Sequence, residues 1–292
     1  MARRLTARER ASVSKGVRAA RRAIERRSAR RPRRAAQRGM RGLLIAEGDS
    51  WFDYPLYDVL DLLERDGFEV EAVAHMGDAL EDMAHDERQL DRLARAFEKV
   101  GARGRAAEVR AILLSGGGND IAGAEFALLL NHAASGLPVL NESIVAGVID
   151  VRLRQALLSL IGTVTQYARH YLGEAKPVVV HGYGYAVPDG RGFLGGGWLL
   201  PGPWLEPSFR RKGYASLEAN VAVVKKLIDR HNAMLEDLAA RMPGVHFVDA
   251  RRLLSSETAG RAYRRDWGNE LHPTERGFRR VADAFAERIG GL

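Results

Sequence analysis

Ser50 stands in a Gly48-Asp49-Ser50 turn directly after the apolar run 42–47 (GLLIAE). A hydroxyl at such a turn can be exposed with its own amide facing solvent. It becomes a nucleophile when a base and an oxyanion pocket are at hand. His272 is the natural base: it lies in a polar loop, and Pro273 suits the first turn of a following helix. Gly77 can offer an unobstructed backbone N–H, and Asn119 a side-chain N–H. With the Ser50 amide they would aim three donors at one developing negative charge. Loss of one such donor commonly costs about 100- to 1,000-fold in rate.

Taken singly, each residue has a plainer role. A serine between a strand and a helix commonly serves as an N-cap, and a loop histidine is ordinarily a solvated surface group. Gly77 could simply serve a tight turn, and Asn119, after three glycines, a loop or cap. The order of the set separates it from chance, because Ser50, Gly77 and Asn119 each come just after a different candidate strand and His272 lies past the fifth, just before the last helix.

Those strands are the short β-type runs at 42–47, 69–74, 110–115, 177–182 and 245–249. Helical patterns alternate with them near residues 56–66, 86–100, 120–134, 147–172, 214–241 and 275–289. The 147–172 stretch places Ile149, Leu153, Ala156, Leu157, Leu160, Val164 and Ala168 on one wide apolar face. Alternation of this kind predicts an open parallel α/β sheet with helices on both faces. Ligands then bind beyond the carboxyl ends of the strands, so the segments after each run should share one rim.

At this point the sequence resembles the SGNH (GDSL-type) hydrolase family. The resemblance rests on Gly48-Asp49-Ser50, Gly77, Gly117-Gly118-Asn119-Asp120 and His272-Pro273, in the family's order, over roughly residues 42–292. It implies a flavodoxin-like three-layer α/β/α sandwich around a mostly parallel five-stranded sheet. By the same resemblance Ser50 is the nucleophile, and His272 is base and then acid. Ser50, Gly77 and Asn119 supply the oxyanion hole, and the reaction is hydrolysis of a carboxylic ester or thioester with no metal or other cofactor. An acyltransferase would use the same site, with an alcohol or sugar in place of water. A binding protein with weakened catalysis, acting through a basic arm, is the reading from another class.

One position departs from the family. Asn269 stands three residues before His272, where the family carries Asp. An amide oxygen can orient the imidazole but cannot stabilise an imidazolium as a carboxylate does. Asp266, one turn upstream, and the neighbouring Glu270 are the alternatives, as is a backbone carbonyl. Without a carboxylate the expectation is lower activity or a pH optimum shifted upwards.

The 183–213 loop carries Tyr183, Tyr185, Phe193, Trp198, Leu199, Leu200, Trp204 and Phe209 among its glycines and prolines. With Trp51, the residues Tyr183, Tyr185, Trp198 and Trp204 are the candidates for contacting an acyl chain or a small aromatic ester. The same side chains could instead pack as the loop's own core.

The formal charge of +8 divides unevenly. Residues 1–41 hold fifteen Arg and one Lys against two Glu, whereas 42–292 carries a net charge of −6. The chain thus reads as an Arg-rich arm, 1–41, joined to one catalytic domain, 42–292. The arm could contact nucleic acid or an anionic surface through salt-sensitive phosphate contacts, or stay solvated. Its composition resembles an organellar transit peptide, but Arg outnumbers Lys 39 to 6 along the whole chain, which points to a general bias. No apolar signal segment follows the basic start and no 18-residue apolar run exists, so a cytoplasmic protein acting on a small ester is expected.

The absence of cysteine excludes disulfides, a thiol nucleophile and Cys-ligated metal. Gly190-Arg-Gly192-Phe-Leu-Gly195 matches a dinucleotide pattern but follows no strand and opens no helix. His75, Asp78, Glu81, Asp82 and His85 lack metal-binding spacing and read as a solvated helix face. His231, within a helical pattern, is assigned no role.

Overall fold

The computed structural model describes residues 40–123, 125–193 and 201–292. Five strands, β1 (Gly42–Gly48), β2 (Phe68–Ala72), β3 (Val109–Ser115), β4 (Val178–His181) and β5 (Val245–Val248), form one sheet in the order β2-β1-β3-β4-β5. Every neighbouring pair is parallel. The five predicted strands fall within two residues of these bounds. The inner strands β1, β3 and β4 are nearly continuous buried apolar runs, as a sheet covered on both faces requires. Edge strand β2 alternates instead, with Glu69 and Glu71 paired to Arg105 and Lys99.

The described helices are α1 (Val59–Arg65), α2 (Leu80–His85), α3 (Glu87–Ala102), α4 (142–172), α5 (Glu206–Arg211), α6 (Leu217–Arg241) and α7 (Glu275–Gly290). α1 packs on α7, while α2 and α3 pack on α4, and α4 on α6, giving the α/β/α layers. The strand order is that of flavodoxin-like folds, with the chain reversing direction of growth between β1 and β3. None of the described helices is long and apolar enough to cross a membrane.

Side-chain caps fix the starts of α1, α3 and α7. Asp58 accepts from Asp61 N at 2.8 Å, Asp86 from Gln89 N at 3.0 Å and Thr274 from Gly277 N at 3.2 Å. Helix α4 opens at the Asn141 cap and widens into π-turns over Ala146–Leu153 and Ala168–Leu172.

One predicted helix is absent. Among the described residues of 120–134 the helical turns are the 3₁₀ turns Glu125–Leu129 and Ala133–Ser135. Gly123 at φ +75° interrupts the apolar pattern. Leu130 bridges Leu140 in an antiparallel contact, and the Asn131 side chain bonds Pro138 O, drawing the segment back on itself. The six-residue α2 is not among the predicted helical stretches, being too short to show a period, although Glu81, Asp82 and His85, read as a helix face, do lie on it.

Candidate active site

The site lies at the β1/β3 switch point. Ser50 follows β1 and is half-buried. Its approach is sterically fixed: a Cβ on Gly48 would come within 2.7 Å of Ser115 Cβ. Asp49, 2% exposed, holds the turn from below. Its Oδ1 accepts from Trp51 N at 3.0 Å and from the Ser115 hydroxyl at 2.8 Å, and its Oδ2 accepts from the Tyr183 hydroxyl. Ser115 Oγ also lies 2.7 Å from His181 Nε2. One hydroxyl proton cannot serve both partners at once. Burial lowers the His181 pKa against the opposing pull of Asp49. Ser115 and His181 are not among the sequence candidates, and Tyr183 is there only as a substrate contact, because single residues at strand ends carry no spacing signal.

His272 approaches from the loop before α7, and its Nε2 lies 2.8 Å from Ser50 Oγ. The proton positions follow from Asn269. Its Oδ1 receives the backbone N–H groups of Leu271 at 3.0 Å and His272 at 2.8 Å. Backbone N–H groups only donate, so that corner of the amide is oxygen and not nitrogen. The same oxygen lies 3.0 Å from His272 Nδ1, which must therefore carry the proton. His272 Nε2 is left as an acceptor and Ser50 Oγ as the donor to it. The Asn269 NH₂ group donates to Tyr54 OH at 3.1 Å, and the Tyr54 ring stacks on the imidazole with centroids 4.4 Å apart.

The alternative partners are committed elsewhere. Asp266, 2% exposed, accepts from Ser255 N at 2.9 Å and Arg280 at 3.1 Å and lies 3.5 Å from Arg276. The fully buried Glu270 accepts four backbone N–H groups: Gly190 at 3.0 Å, Glu206 at 3.0 Å, Trp204 at 2.6 Å and Leu205 at 2.7 Å. Burial raises the Glu270 pKa while these four bonds oppose the rise.

Burial without a charged partner pushes the His272 pKa down to about 3. Desolvation disfavours the imidazolium, which works against the upward shift of the pH optimum expected from the missing carboxylate.

Asn119 follows β3, and its Nδ2 donates to Asp78 O at 2.9 Å, which spends one of its two N–H groups. The same contact ties it to the loop holding Gly77, which is exposed with φ +93°. Behind Asn119, a Cβ on Gly117 would meet His231 Nε2 at 2.6 Å, so the glycine run lets the loop lie on α6. His231 itself is buried, and neither ring nitrogen has a hydrogen-bond partner among the described residues.

A cavity opens beside Ser50, lined by Trp51, Asn119 and Tyr183 with mainly aliphatic walls. The predicted substrate contacts divide. Trp51 and Tyr183 line this cavity but are mostly structural: the Trp51 indole donates to Leu271 O at 3.1 Å, and the Tyr183 hydroxyl goes to Asp49. Trp204 packs its ring edge on His272 with centroids 5.4 Å apart. Tyr185 is not among the cavity residues, because its hydroxyl bonds Asp229 on α6 at 2.6 Å. Trp198 lies outside the described residues, as do residues 1–39 of the basic arm. Leu205 and Phe209 pack inward, Phe209 against Phe126 outside the loop, so the described part of the loop packs onto the main core of the domain.

No family model and no curated protein matches the chain. Solved structures do. A Streptococcus pneumonia protein provisionally described as a platelet activating factor is 15% identical, covering 95% of this chain and 98% of that one, with a TM-score of 0.48. A family 3 carbohydrate esterase from Clostridium thermocellum is 13% identical, covering 86% and 98%, with a TM-score of 0.43. A catalytic mutant of an acetylxylan esterase from Geobacillus stearothermophilus is 16% identical, covering 87% and 96%, also with a TM-score of 0.43.

Proposed function

We propose that the protein is a serine-dependent carboxylic-ester hydrolase working through Ser50, His272 and Asn269. The observation that carries this is the 2.8 Å contact from Ser50 Oγ to His272 Nε2, with the tautomer fixed by Asn269. Ser50 Oγ attacks the acyl carbonyl while His272 Nε2 takes its proton. The oxyanion that forms is held by the amides of Ser50 and Gly77 and by the spare N–H of Asn119. The C–O bond to the alcohol then breaks, and His272 returns the proton to that oxygen. Water, deprotonated by the same nitrogen, attacks the acyl-serine and releases the acid and Ser50.

The imidazolium formed in these steps faces a neutral amide. Asn269 contributes orientation, and Tyr54 and Trp204 confine the ring. The direct test is hydrolysis of p-nitrophenyl esters by the wild type and by Ser50→Ala. Loss of about 1,000-fold or more in kcat is expected; equal rates would overturn the assignment.

A further inference from the structure

Tyr183 lies just past β4, yet its hydroxyl reaches across the end of β3 to the turn after β1, where it donates to Asp49 Oδ2. The same oxygen accepts from Gly118 N at 3.2 Å. A hydroxyl carries one proton and two lone pairs, so both bonds form at once. One phenol thus bridges the residue before Ser50 and the residue before Asn119. Burial, with the Asp49 charge beside it, raises the Tyr183 pKa well above its usual value, so the hydroxyl keeps the proton the bridge needs. The ring is wedged between Trp51, His181 and His231, with centroids 5.1, 5.3 and 5.6 Å away.

The two bridged segments are held differently. The Ser50 turn has further anchors: Asp49 N donates to Ser115 O at 3.2 Å, and Asp49 Oδ1 accepts from Trp51 N and Ser115 Oγ. The Asn119 loop is anchored on its far side, where Asn119 Nδ2 donates to Asp78 O and Asp120 Oδ2 accepts from Leu80 N at 2.8 Å. Those bonds join it to the Gly77 loop and α2, away from Ser50. A carbonyl attacked by Ser50 has its oxygen only about 1.2 Å from its carbon, so the two segments must keep their separation to a fraction of an ångström. We infer that Tyr183 is a positioning residue, whose hydroxyl fixes the distance between Ser50 and the Asn119 donor. The inference rests on Ser50 being the nucleophile and Asn119 an oxyanion donor. Without the hydroxyl the turn keeps its anchors and the loop keeps those on its far side, so Asn119 is the group that shifts.

Tyr183→Phe removes the hydroxyl and retains the ring. On full-length protein it should lower kcat for a p-nitrophenyl ester by about 10- to 100-fold, with KM within about threefold. The acid limb of the pH profile should stay in place, because His272 is untouched. A double-mutant cycle with Asn119→Ala separates positioning from general loosening. In that background Tyr183→Phe should change kcat by less than about threefold, since the donor it places is already gone. Ser115→Ala takes a bond from Asp49 but none from the loop, so its effect should multiply independently with that of Asn119→Ala. Asp49→Asn gives a second reading should Tyr183→Phe fail to fold. Its oxygen stays with Trp51 N and its NH₂ group faces Tyr183, which weakens the bridge without opening a void; a smaller loss with the same coupling is expected. Fluorophosphonate labelling of wild-type Ser50 runs in parallel. With Ser50 labelled, an unchanged kcat, a change confined to KM, or equal losses with and without Asn119 overturns the role of Tyr183 and leaves the serine chemistry standing. So does equal coupling in Ser115→Ala. A folded wild type that is not labelled at Ser50 overturns both.

Discussion

Asn269 binds His272 twice with one oxygen, at the backbone N–H (2.8 Å) and at ring Nδ1 (3.0 Å). The first bond makes the second unambiguous, since it identifies the amide oxygen and so places the ring proton. A neutral residue thereby does the orienting part of a carboxylate's work. The charge-stabilising part is missing, and the buried imidazole has its pKa lowered to about 3.

Restoring the charge should restore that second part. In Asn269→Asp the Tyr54 hydroxyl can turn to donate to the new carboxylate, so the geometry is retained. A negative charge beside Nδ1 raises the His272 pKa, and His272 acts as base only above that pKa. The acid limb of the kcat/KM profile should therefore move upwards from its low wild-type position, and the rate at pH 8 should rise about tenfold. Stopped-flow or steady-state pH profiles check both, and an acid limb that stays in place contradicts the assigned partner.

Asn269 and Asp266 should separate cleanly. Asn269→Ala frees the imidazole and should cost about 100-fold or more in kcat. Asp266→Ala removes contacts to Arg276, Arg280 and Ser255 N, so it should lower the melting temperature while leaving kcat of the folded enzyme within about threefold. Calorimetry and kinetics on the same two variants decide it.

Glu270 should act through the loop and not through the proton. Its carboxylate ties Gly190, Trp204, Leu205 and Glu206 to the segment two residues before His272. In Glu270→Gln an NH₂ group faces backbone donors, which leaves buried N–H groups unpaired at about 1–3 kcal/mol each. The expected result is a lower melting temperature and a raised KM, since Trp204 and Leu205 border the site. The position of the acid limb should not move.

Glu47 at the end of β1 is fully buried, and burial raises its pKa from 4.5 to about 7. The folded state binds its proton more tightly than the unfolded chain does, so stability from this group is complete below about pH 4.5. It is lost as pH rises through 7, by about 3 kcal/mol in all. Glu47→Gln should consequently stabilise the protein more at pH 8 than at pH 5. Denaturant midpoints at the two values measure the difference, and an equal effect at both would contradict it.

Much of this site was legible because its members sit at strand ends, where an apolar run stopping at Gly-Asp-Ser or Gly-Gly-Asn-Asp is visible without any structure. The His272 partner was not. Asn269, Asp266 and Glu270 share one loop, and which of them faces the imidazole depends on where α7 and the 190–206 loop draw the other two. Tyr54, stacked on His272, was overlooked because it is 218 residues away in sequence. Substrate contacts were sought in the aromatic loop, yet the cavity beside Ser50 is also lined by Val224, Leu227 and Ile228 of α6, a stretch that reads in the sequence simply as a helical pattern. The missing 120–134 helix has the same origin: alanines and leucines favour a helix locally, and the turn at Gly123 together with the pull of Asn131 and Leu140 overrides them.

The most direct test of the account is the site of attack. Purified protein treated with a fluorophosphonate at pH 7.5, digested and examined by mass spectrometry should carry one adduct, on Ser50, and Asn269→Ala should label far more slowly. An adduct on a different residue, or an unlabelled wild-type protein that melts cooperatively, would contradict the Ser50–His272–Asn269 mechanism.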